Sequence, residues 1–201
     1  FFVKKFMAIA LIVASGLFLA GCSNMSSAAT VGGTDISMKM VEDSIAEILA
    51  ERAKTDTSQM QLESGDALNR SQLQFFITNK IIEEVAIESN IKITQAEIDA
   101  YRIKILGQVG GEPALPNVLV NATLAPSNLV DIFRRDLIVA KLSQAAASSG
   151  LSEADAGTAI QQLVIEKAKA LKIVINPKFG KWNDLTAQIE AADATNGAVT
   201  P

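Results

Sequence analysis

The stretch from about Asn69 to Ser89 sets the strongest limit on what this chain can become. It contains neither glycine nor proline, and it carries Leu73, Phe76, Ile77, Ile81 and Val85 at helical spacing, with Phe75, Ile82 and Ile87 widening the stripe. An apolar arc this broad is not covered by one neighbour, so the segment is predicted to be a central helix with others packed around it.

Four more helices are expected about it. Ser37 is placed to cap a helix running to about Lys54, with Val41, Ile45, Ile48 and Leu49 on one stripe. Thr55 to Ala67 reads as a polar loop. Thr94-Gln95-Ala96-Glu97 has the form of a capping box and opens a third helix reaching about Gln108. Glycines and prolines from Gly107 to Pro116 mark a loop, and Pro126 opens a fourth helix to about Ser148 with Leu129, Ile132, Phe133, Leu137, Val139 and Ala140 mostly inward. Ser152 caps the fifth, whose face is Ile160, Leu163, Val164, Ala168 and Leu171. Short extended pieces flank the helices: Thr30 to Ile36 around Gly32-Gly33, and Ile173-Val174-Ile175 stopped by Asn176-Pro177. Beyond Trp182 the alanine-rich end reads as a frayed helix and tail.

Composition removes several kinds of chemistry. The chain has no histidine and one cysteine, so the commonest general base and metal ligand is missing and no intramolecular disulfide is available. Glu83 and Glu84 are adjacent and diverge by about 100° on a helix, which does not suit a carboxylate pair for catalysis. Tyr101 has no evident activating partner. Arg134-Arg135-Asp136 interrupts an apolar helix and reads as a solvated face with local ion pairs. Gly110-Gly111 has no lysine-serine/threonine sequel for a phosphate loop. No catalytic residue, cofactor or metal is therefore expected.

The cysteine has a specific setting. Lys4 and Lys5 precede an apolar run from Phe6 to Phe18, and Leu19-Ala20-Gly21-Cys22 follows. The run is too short for a bilayer span of roughly 20 residues and has the layout of an export signal. Leu19, Ala20 and Gly21 resemble the lipobox of bacterial lipoproteins. That resemblance implies cleavage before Cys22 and attachment of acyl chains, palmitate among them, to Cys22. Phe1 is not an initiator residue, so the natural chain is expected to begin upstream. Removing residues 1–21 leaves about 180, the size of one domain with a tail. The 18 basic residues then become 16 against 22 acidic, a net charge of -6 that argues against nucleic acid. Residues 22–29 are expected to be the lipidated cysteine and a flexible tether, 30–183 the domain, and 184–201 a tail.

The order of the pieces resembles the N-terminal domain of the SurA and PrsA class of exported foldases and chaperones. The residues that carry the likeness are Val31 to Ile36 before a helix, Lys80 to Ala86, Ile91 to Ile98, and Lys172-Ile173-Val174-Ile175-Asn176-Pro177-Lys178-Phe179-Gly180-Lys181-Trp182. The resemblance implies a mainly α fold of about five helices, akin to trigger-factor peptide-binding domains. In it residues 30–36 and 172–182 pair as a small sheet that clasps the helices. It also implies an ATP-independent chaperone that binds unfolded or newly exported proteins at the extracytoplasmic face of a cell membrane, or of an outer membrane where the host has one. Many relatives insert a parvulin isomerase domain between the fourth helix and the closing helix. Only Ser143 to Leu151 stand there in this chain, so isomerase activity is not carried over. A prolyl isomerase and an assembly lipoprotein with one dedicated partner are the rival readings. Phe75, Phe76, Ile82 and Phe133 are the candidate client-binding residues, with core packing the plainer use for each. Met38 and Met40 are candidates for an adaptable surface.

Overall fold

Packing begins at a hairpin. In the computed structural model, which describes residues 26–192, β1 (Ser27–Val31) turns through Gly32 and Gly33 into β2 (Thr34–Ser37), pairing Ala29 with Ile36 and Val31 with Thr34. Both turn glycines have positive φ, 58° and 82°, which the tight two-residue hairpin turn demands. Six helices follow: α1 (Met38–Arg52), α2 (Gly65–Glu88), α3 (Gln95–Val109), α4 (Leu115–Asn121), α5 (Leu129–Ser148) and α6 (Glu153–Ala170). The described residues then continue with β3 (Val174–Ile175), β4 (Lys181–Asn183) and β5 (Gln188–Glu190).

The expected caps are present. Ser37 Oγ accepts from the Met40 amide at 3.2 Å, Ser152 Oγ accepts from the Asp155 amide at 3.2 Å, and Thr94 and Glu97 form the reciprocal capping box. Helix α2 is central, touching α1, α5, α6 and β1. Its buried side chains explain how: Leu73, Ile77 and Ile81 join Ala28, Val31 and Ile36 of the hairpin, Val41 of α1 and Ala168 of α6 in one cluster. One turn on, Ile82, Val85 and Ala86 form a second cluster with Ile138 and Leu142 of α5. On α5, Ile132 and Phe133 are buried and Val139 packs on the second cluster as expected, Ile138 and Leu142 are buried as well, and Ala140, expected to face inward, is exposed.

The clasp between chain ends forms. β3 pairs antiparallel with β1, Ala29 opposite Ile175 and Thr30 opposite Val174, giving the strand order β2-β1-β3. The Asn176 amide extends the ladder by donating to the Ala28 carbonyl at 2.8 Å.

Five expectations need correction. The tether does not reach Ala29, because Ser27–Ala29 belong to β1, where Ala28 and Ala29 are buried in the first cluster. Lys181 and Trp182 do not extend the clasp; β4 pairs with β5 in a separate hairpin, with Trp182 opposite Ile189. Residues 184–190 are therefore folded rather than tail, and Ala187 is buried. Helix α2 starts at Gly65 rather than Asn69. Finally, the loop expected from Gly107 to Pro116 stops short of its last two residues, because Leu115 and Pro116 already open α4, where a proline in the first turn gives up no intrahelical N–H bond.

Candidate functional site

The second cluster is not sealed. Where α2 ends, the chain bends through Asn90, with positive φ, and runs without regular secondary structure through Ile91-Lys92-Ile93 to the capping box. This leaves a cleft of about 320 Å³ between the last turns of α2, that connection and α5, lined by Glu83, Ala86, Ile87, Ile91, Ile93, Arg134 and Ile138. Ala86 and Ile138 are buried, Ile91 and Ile93 partly so, and Ile87 is 66% exposed. A large β-branched side chain left that open beside other isoleucines makes an adhesive edge.

The connection is tied to α5. Lys141 of α5 lies 2.6 Å from Glu97 and donates to the Lys92 carbonyl at 2.8 Å, so one ammonium fixes both the connection and the start of α3. Bonding from Lys141, and then from the Thr94 amide and hydroxyl, lowers the Glu97 pKa to about 2. On the other side of α5, Asp136 receives Arg135 at 3.4 Å and the Tyr101 hydroxyl at 3.5 Å. Burial, with the Asp136 charge added, raises the Tyr101 pKa. The Arg135 guanidinium sits 5.8 Å from the centre of the Phe75 ring, and Tyr101 meets Phe133 edge-on at 5.5 Å. Arg135 and Asp136 thus form the expected local ion pair and link α5 to Phe75 of α2 and Tyr101 of α3, while all three charged residues are half-buried rather than on a solvated face.

The four aromatic and aliphatic residues expected to touch clients lie elsewhere. Phe75, Ile82 and Phe133 are 8%, 6% and 3% exposed and are spent on packing; Phe76 is partly buried against the first cluster. Of the two methionines, Met38 packs on that cluster and Met40 is exposed. Cys22 and the residues before it, Leu19, Ala20 and Gly21, lie outside the described residues. Among the described residues no helix is long and apolar enough to cross a membrane, and no group of carboxylates is placed to hold a metal ion.

The cleft leaves no mark in the helix stripes of the sequence. The signal that was present is Ile91-Lys92-Ile93, two apolar residues spaced as in an extended chain just after a helix stop.

A family model described as SurA-like N-terminal domain matches residues 2–143, more than two thirds of the chain. The chain belongs to the SurA-like N-terminal domain family. The matched span runs through α5 to Ser143 and contains every residue that lines the cleft. Membership in the SurA-like family points to a chaperone-type role in which peptides or unfolded proteins are bound. Neither the curated proteins nor the solved structures contain a match to the chain.

Proposed function

We propose that this protein is a membrane-anchored exported lipoprotein that binds unfolded or newly translocated proteins without ATP and without catalysing a reaction. The observation that carries the reading is the open apolar cleft beside Ile87, in a chain of the SurA-like family. Binding there would be driven by burial of client side chains, at roughly 25 cal/mol per Å² of apolar surface. Because that force is not directional, one cleft can serve many clients.

In this proposal Cys22 carries the acyl chains. Four residues separate it from Ser27, the first residue of β1. At about 3.5 Å per residue such a leash keeps the domain within about 18 Å of its anchor, on the outer face of the membrane where exported chains emerge. The most direct test of the binding is aggregation. The protein is expected to slow light scattering from a chemically denatured client at a modest molar excess, and failure with several unrelated clients would remove the reading. The anchor has its own test: mass spectrometry of the membrane fraction is expected to find a diacylglyceryl-modified peptide beginning at Cys22, and Cys22→Ser should release the protein from membranes.

A further inference from the structure

The cleft is charged toward one end and apolar toward the other. Glu83 and Ile87 stand at i and i+4 on α2, and Arg134 and Ile138 at i and i+4 on α5, so each helix offers a charge and, one turn on, an isoleucine. The two helices run in the same sense here. Asn79 and Glu83 share a small cavity with Asp131 and Arg134, and further along both helices Val85 and Ala86 pack with Ile138 and Leu142. Glu83 and Arg134 therefore mark one level of the cleft, on opposite walls, and Ile87 and Ile138 the next.

Neither charge is engaged. Among the described residues Glu83 and Arg134 take part in no ion pair or hydrogen bond, with each other or with a neighbour, although Lys80 pairs with Glu84, Arg135 with Asp136 and Lys141 with Glu97. Asp131, also without a partner, is exposed. Glu83 and Arg134 are half-buried, so each has given up part of its hydration with no counter-charge in return. One turn from Glu83, Ile87 is 66% exposed.

Such a surface is complementary to itself. In a two-fold pair, where residue i of one copy meets residue j of the other, j also meets i. An axis laid along the cleft carries α2 of each copy over α5 of the other and keeps the levels in step. We propose that two copies of this chain associate face to face over the cleft, Glu83 of each pairing with Arg134 of the other and Ile87 of each entering the other's cleft beside Ile138. A contact centred on one cleft is smaller than the roughly 1,200 Å² of a stable interface, so the dimer is weak and exchanges readily. It covers the surface assigned above to clients, which then compete with a second copy. The pairing does not depend on client binding: a dimer that ignores peptides and a monomer that binds them are both distinguishable results.

Sedimentation equilibrium of the full chain in a mild detergent, over roughly 1 µM to 1 mM, reads the association. The wild-type mass is expected to rise from one copy toward two. Glu83→Arg and Arg134→Glu each set like charges together at both contacts and should weaken association at least about tenfold. Mixing the two variants in equal amounts should restore it, because one contact then joins the two substituted side chains and the other joins two native ones. Association through the apolar run from Phe6 to Phe18 would not respond to charge at these positions. Circular dichroism checks that each variant folds. A wild-type protein that stays monomeric overturns the pairing, as does undiminished association of either folded charge variant or a mixture of folded variants that stays monomeric. Ile87→Gln keeps both charges and should weaken the dimer several-fold; if a charge variant does not fold, association of Ile87→Gln equal to the wild type overturns the pairing.

Discussion

Glu97 and Lys141 tie the start of α3 to α5, and the tie depends on pH. Glu97 keeps its charge down to about pH 2 in the folded protein, against an ordinary value of 4.5. A carboxyl whose pKa is lowered by folding stabilises the fold above its unfolded value and stops doing so as pH falls through the folded one. Glu97→Gln retains an acceptor for the Thr94 amide and loses the charge facing Lys141. Urea unfolding is therefore expected to find the wild-type protein more stable than this variant at pH 7, with the difference shrinking below about pH 4.5 and gone near pH 2. A constant difference would mean that the ion pair contributes nothing. Gly32 is the other position where one residue carries a local constraint. Its amide donates to the Leu171 carbonyl at 2.8 Å, its φ is +58°, and a Cβ there would lie 2.6 Å from Leu171 Cδ2. Gly32→Ala should lower stability by about 1–2 kcal/mol, read as a shift of the urea midpoint.

At the scale of elements, the helices were legible and the last hairpin was not. Helices α1 and α6 announce themselves by a 3.6-residue stripe and a capping serine, α2 and α5 by their stripes, and α3 by its capping box, all local signals. The hairpin of β4 and β5 has three residues in each strand and draws its definition from a distant side chain. Gln74 of α2 donates to the Ala187 carbonyl at 3.0 Å and accepts from the Ile189 amide at 2.8 Å, so its carboxamide behaves as a piece of neighbouring strand. No periodicity within residues 181–190 reports a partner 115 residues away. The same holds for Ser44, Gln72 and Asn128, buried polar residues of three segments that satisfy one another at 2.9 and 3.0 Å. Gln74→Leu should leave the helices intact and speed hydrogen exchange at the Ile189 amide, without a matching change at amides of the α2 core such as Ile81. Equal protection in both proteins would show that β4 pairing alone secures β5.

Across the whole molecule, the sheet and the cleft draw on different parts of α2. The sheet rests on Leu73, Ile77 and Ile81, whereas the cleft lies over Ala86 and Ile138 in the second cluster. The resemblance in sequence anticipated the clasp, because its closing motif is nearly continuous; it could not anticipate the cleft, which arises from how three segments meet. If one part holds the fold together and the other binds, each is open to damage on its own. Asn176 bonds the Ser27 carbonyl through Nδ2 at 3.3 Å and accepts from the Lys178 amide at 3.1 Å. Asn176→Ala is expected to cost about 1–2 kcal/mol of unfolding free energy and to leave peptide affinity unchanged at temperatures where the variant is folded. Ile87→Gln replaces an exposed apolar side chain by a good helix former, so stability should move by no more than about 0.5 kcal/mol. Its affinity for a leucine-rich peptide should fall several-fold, since the lost edge of the cleft is part of the apolar surface buried on binding. Urea unfolding and anisotropy on both variants give four values. The separation fails if Asn176→Ala weakens binding while folded, or if Ile87→Gln binds as the wild-type protein does.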